Sequence, residues 1–104
     1  MIDCTAQQLE TIKRILSGIV PGNQAIVFGS RCSGRAKPYS DLDLVIKGTA
    51  PIAPKVLSEL IDAFQESDLP FRVDLIDWNT ITEEFQHVIL NSPHEPLTDR
   101  SIPK

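Results

Sequence analysis

Two cysteines, one tryptophan, one tyrosine and one methionine are all that this 104-residue chain holds of those types. Cys4 and Cys32 stand far apart, and neither sits in a metal-type spacing. Neither a disulfide framework nor a zinc site is suggested on that ground, and ordinary reduced thiols are expected. No apolar run approaches the ~20 residues needed to cross a bilayer. The first residues also lack the basic-then-apolar order of a signal peptide, so a cytoplasmic location is the expectation. Excess positive charge is missing too. A formal net charge of −4 argues against broad nonspecific binding to nucleic acid, which depends on neutralising phosphates.

What is present is ordinary for a globular domain, with 41% hydrophobic and 23% charged residues. The length allows one modest core. Local features must therefore carry the function, and one stretch departs from the background: "FGSRCSGRAKPYSDLDLVI", residues 28–46. A hydrophobic run breaks at Gly29-Ser30. A loop with Arg31, Arg35 and Lys37 and no acidic residue follows. The chain then turns hydrophobic again with Asp41 and Asp43 set into it.

Hydrophobic periodicity places these features. Leu9, Ile12, Ile15, Leu16 and Ile19 recur at helical spacing behind a Thr5/Gln8 capping box, which predicts a helix at about 5–18. Residues 25–28 form a short β-prone run. Residues 41–46 alternate, with Leu42, Leu44 and Ile46 on one face and Asp41, Asp43 and Val45 on the other. Val56, Leu57, Leu60, Ile61 and Phe64 give a second helix, about 54–67. Residues 72–77 read as a third strand. Thr80 with Glu83 is expected to cap a last helix bearing Ile81, Phe85, Val88 and Ile89. From Asn91 the sequence is polar with three prolines. It reads as a tail, mobile or partner-docking, so the chain divides into a domain at 1–90 and a segment at 91–104. The fold expected is α/β in the α+β sense: a small mixed sheet with helices on one face and the aspartates on the open face.

Two carboxylates two residues apart on a strand lie roughly 7 Å apart on one face. They repel each other unless a cation lies between them. Magnesium suits such a pair, because it takes one or two carboxylates together with substrate phosphates and water. Asp74, in "RVDLID", is placed to add a third carboxylate from a neighbouring strand, enough for a two-metal site. Gly29 lets the backbone approach a phosphate, and Ser30 donates to its oxygens. Arg31 and Arg35 are the candidate forked contacts to the β- and γ-phosphates of a nucleoside triphosphate. The chemistry implied is in-line attack on the α-phosphorus with pyrophosphate leaving.

Gly29-Ser30, ten intervening residues and Asp41-Leu42-Asp43 match the signature of the polymerase-β-like nucleotidyltransferases. The wider pattern resembles the minimal nucleotidyltransferase (MNT) branch over about residues 5–90. The resemblance implies the nucleotidyltransferase palm as the fold. It makes Gly29 and Ser30 the phosphate turn, Asp41 and Asp43 the metal pair, and Asp74 the third carboxylate. Many relatives have Ala-Arg where this chain has Cys32-Ser33, so one basic contact is missing. The branch also implies a helical HEPN toxin as partner and an antitoxin role, with AMP passing from ATP to a HEPN tyrosine.

The remaining polar residues have plainer readings. Lys37 reads as either a ligand contact or a surface residue, and Tyr39 as either flanking the nucleotide or packing its loop. Asp77 is three residues beyond Asp74 and reads as a cap or turn residue. Trp78 reads as core or interface, and His87 and His94 form no metal spacing. Two functions compete: a Mg-dependent adenylyltransferase, and an idle nucleotidyltransferase fold that blocks its toxin by contact alone. The intact aspartates favour the enzyme. The sequence leaves open whether the chain forms homo- or hetero-oligomers.

Overall fold

Thr5 opens the first helix as its sequence requires. Its hydroxyl accepts from the Gln8 N–H at 3.0 Å, and the Gln8 side chain returns the bond to the Thr5 N–H at 2.9 Å. A computed structural model describes residues 2–34 and 36–97 of the chain. Helix α1 spans Ala6–Ile19 and buries Ile12 and Leu16, the centre of its apolar stripe. Strand β1 (Gln24–Phe28) follows, then a one-turn helix α2 (Ser30–Ser33) and strand β2 (Leu42–Lys47). Helix α3 (Pro54–Gln65) takes Pro54 in its first turn, where the missing N–H costs nothing. Strand β3 (Val73–Asp77), a short 3₁₀ turn (Trp78–Thr80), helix α4 (Glu83–Asn91) and strand β4 (His94–Pro96) complete the described chain.

The sheet is mixed, in the order β3-β2-β1-β4. β2 runs antiparallel to β1 and parallel to β3, and β4 runs antiparallel to β1. Alternation sorts its two faces. Ala25, Val27, Leu42, Leu44 and Ile46 pack with Ile12 and Leu16 of α1 and with Leu60 and Phe64 of α3 in one core cluster. The central strand is the most deeply buried: Leu42, Leu44 and Val45 have no exposed surface.

Two expectations are corrected here. α4 does not join α1 and α3. Its Phe85 meets Phe28 edge-on, ring centroids 6.5 Å apart, and Phe28 alternates with the core residue Val27. Val45 and Ile89 are likewise fully buried yet lie outside the α1/α3 cluster. The helices thus cover both faces, and α4 shelters one part of the aspartate face. The stretch after Asn91 is also no free tail through residue 97. β4 pairs with β1, the Leu97 N–H donates to the Ala25 carbonyl at 2.8 Å, and Leu97 is buried in the core. β1 would otherwise be an open edge, and these residues satisfy its backbone groups. Residues 98–104 lie outside the described part.

The cap of α4 also moves. Thr80 donates to the Asp77 carbonyl within the 3₁₀ turn, so the helix begins later. Thr82 takes the cap, accepting from the Phe85 N–H at 3.1 Å. Among the described residues no helix is long and apolar enough to cross a membrane.

Candidate active site

β1 ends at Phe28 because Gly29 turns the chain sharply, with φ 88° and ψ −148°. Only glycine holds that conformation readily. The turn aims Ser30 into α2, and Gly34, left-handed at φ 78°, ends that helix after one turn. Phe28 is the cross-strand partner of Asp43, so the end of β1 lies beside the aspartate strand. A Cβ built on Gly29 would lie 2.8 Å from Asp43 Oδ2. The glycine is therefore required twice, by its backbone and by the carboxylate against it.

Asp41 precedes β2 rather than opening it, and is exposed. Leu42 between the two aspartates is fully buried, which sends Asp41 and Asp43 to the same side of the strand. Asp43 is half-buried and stands in register with Asp74 on parallel β3. Neighbouring strands are ~4.8 Å apart, so the two carboxylates share one patch of the face. Burial raises the pKa of Asp43 above the ordinary aspartate value, and the charges of Asp74 and then Asp41 raise it further. Desolvation and like charge both disfavour the ionised carboxylate.

Asp74 is differently occupied. Its Oδ1 accepts from Arg72 Nε at 2.9 Å and pairs with Nη2 at 2.8 Å. The bond and charge of Asp74 raise the Arg72 pKa in turn. Sequence reasoning missed this pair, although residues two apart on a strand share a face and the spacing was readable. Among the described residues no three carboxylate, imidazole or thiolate groups converge into a ready metal cage. Magnesium does not need one. It takes one or two carboxylates with phosphate and water, and Asp41 and Asp43 are the residues here that could hold it.

Arg31 differs from the sequence reading. It is buried, 4% exposed, and its guanidinium donates to backbone carbonyls: Nη1 to Asp3 at 2.7 Å, Nη2 to Ser40 at 2.8 Å and to Pro38 at 3.2 Å. Its flat face stacks on Phe71, 4.0 Å from the ring centroid. These contacts use the donors that a phosphate would need. Arg35 lies outside the described residues. Asp77 does what its spacing implied: Oδ2 accepts from the Ile52 N–H at 2.7 Å and Oδ1 from the Asn79 N–H at 3.0 Å. Lys47 stacks on Trp78, and Tyr39 stands 80% exposed in the loop before Asp41. A concavity of about 820 Å³ does not coincide with the carboxylates. It runs along α1 past Leu9, Lys13 and Leu16. The aspartates stand on a face of the sheet, Asp43 on β2 beside Asp74 on β3.

Known proteins resemble this chain in sequence and in fold. The chain is 46% identical over 88 residues to the probable protein adenylyltransferase MntA of Haemophilus influenzae, covering 85% of this chain and 77% of that one. It is similar to a crystal structure of a toxin–antitoxin with AMP-PNP, with TM-score 0.73, 20% identity and coverage of 89% and 74%. It is also similar to a structure of tri-AMPylated Shewanella oneidensis HEPN toxin in complex with MNT antitoxin, with TM-score 0.67, 20% identity and coverage of 88% and 70%. At such identities the structural likenesses establish the fold alone. The family model for polymerase beta nucleotidyltransferases matches residues 10–99. Taken with the close relative, that match makes this chain a member of the polymerase beta nucleotidyltransferase family.

Proposed function

We propose that this protein is a Mg-dependent adenylyltransferase of the cytoplasm. It moves AMP from ATP to a protein hydroxyl, a tyrosine of a HEPN-type toxin, and so acts as that toxin's antitoxin. The observation that carries the reading is Asp43. It lies against the positive-φ Gly29 turn, stands in register with Asp74, and has its pKa raised by burial and by both neighbouring aspartates. The close relative is named a probable protein adenylyltransferase, and the structural neighbours are toxin–antitoxin complexes.

The residues divide the work. Gly29 brings backbone close to the triphosphate, and Ser30 donates to its oxygens. Asp41 and Asp43 would hold magnesium, with Asp74 as a third carboxylate once Arg72 releases it. Bound divalent cations neutralise charge on the phosphates and activate the attacking oxygen, the two roles of a two-metal site. The acceptor oxygen bonds to the α-phosphorus as the bond to pyrophosphate breaks, so positioning and charge neutralisation do most of the catalysis. Arg35 remains the candidate cationic contact to the phosphates.

A contact-only antitoxin is the second reading, and one observation favours it: Asp74 is already engaged by Arg72. Labelled ATP tests the chemistry. Incubated with the HEPN partner and magnesium, ATP labelled at the α-phosphate should label the partner, and γ-labelled ATP should not. Label arriving from the γ-position alone would make the reaction phosphoryl transfer and defeat the proposal.

A further inference from the structure

Arg31 follows the phosphate turn directly in sequence, yet its side chain points away from solvent into the base of the site. The carbonyl it grips most fully belongs to Ser40, which takes Nε at 3.1 Å and Nη2 at 2.8 Å. Ser40 is the residue immediately before Asp41. Pro38, two residues earlier in the same loop, accepts at 3.2 Å. The loop is also braced internally, with the Ser40 N–H on the Lys37 carbonyl at 3.0 Å and the Lys37 N–H on Ser40 Oγ at 2.9 Å. Phe71, beneath the guanidinium, stands three residues before Asp74. Asp3 completes the ring: its carbonyl accepts from Arg31, and its N–H donates to the Arg31 carbonyl at 2.7 Å.

One side chain, on the residue just after the phosphate turn, thus contacts the loop that leads into Asp41 and the residue that stands ahead of the Asp74 strand. We infer that Arg31 is a positioning residue, which fixes the distance from the Gly29-Ser30 turn to the aspartates of β2. The inference rests on the nucleotidyltransferase reading above. Arginine suits the task because several donors in one plane reach separate carbonyls while the flat face lies on a ring. Lysine keeps the charge but not the fork. Phosphates and carboxylates held by different segments must be kept in register, and a 1 Å misplacement can cost about a hundredfold in rate.

The test is Arg31→Lys, with Phe71→Leu as a milder variant that removes only the flat support. Two readouts are needed: steady-state AMP transfer to the partner, and amide hydrogen exchange of the protein alone. In Arg31→Lys, kcat should fall about a hundredfold while KM for ATP stays within about threefold. The Ser40 N–H should exchange faster, while Val27 and Leu44 keep wild-type protection. Phe71→Leu should move both readouts the same way by less. A raised KM with unchanged kcat would make Arg31 a phosphate ligand and overturn the inference. A lowered Tm with unchanged kcat and KM would reduce it to a structural residue and overturn it equally. Were wild type itself to transfer nothing, the functional reading would fail, and unaltered Ser40 exchange in the variants would separately defeat the positioning role.

Discussion

Asp43 Oδ2 occupies the space into which any side chain on Gly29 would have to grow, 2.8 Å from the position of a Cβ. Gly29→Ala therefore meets two penalties, a backbone conformation foreign to alanine and a collision with the carboxylate. The backbone term alone costs about 1–3 kcal/mol. Urea unfolding should show that loss. Calorimetry with magnesium and ATP should show weakened binding, because Asp43 must swing away to admit the methyl group.

Asp43 is also the residue through which pH acts. Burial, then the Asp74 and Asp41 charges, raises its pKa above the ordinary value of 3.8. Folding thus favours the protonated form. Ionising Asp43 costs stability, fully so above its folded-state pKa, and the cost vanishes below 3.8. Asp43→Asn should be more stable than wild type at neutral pH. The advantage should shrink as the pH is lowered toward about 4. Thermal unfolding across that range measures it. Magnesium should raise the Tm of wild type and leave that of Asp43→Asn nearly unmoved.

Leu97 gives the segment after α4 its weight. It is 4% exposed and sits in the main core cluster. Leu97→Ala should cost about 2–5 kcal/mol, as for other buried leucines. A chain ending at residue 90 should lose β4 and much of its stability. Circular dichroism melts compare both with wild type.

Much of this was legible where periodicity was strong. α1 and its Thr5/Gln8 box, the buried leucines of β2 and the β3 run all fall within a residue or two of their expected positions. β4 was not legible, because a three-residue strand containing Pro96 has no period to detect and is defined only by its partner β1. Thr80 and Thr82 present nearly equal capping signals, and the Asp77-capped turn decides between them. Arg31 shows a different limit. An arginine beside a phosphate turn reads as a ligand, and only tertiary structure reveals the Ser40, Pro38 and Asp3 carbonyls that claim it. The Arg72–Asp74 pair was within reach, since a two-residue spacing in the extended chain where β3 begins puts both on one side.

The central claim is that the aspartates beside the Gly29 turn perform transfer and are not relics of a fold used for contact. The double variant Asp41→Asn/Asp43→Asn tests it most directly. Like-charge repulsion is relieved, so the protein should stay folded and still bind its HEPN partner. Intact-mass spectrometry of the partner, after incubation with ATP and magnesium, should show added AMP with wild type. With the double variant, or with EDTA, it should show none, and cells carrying the variant should lose protection. Unchanged protection by the variant, with no AMP on the partner in either case, would contradict the account and leave neutralisation by binding in its place.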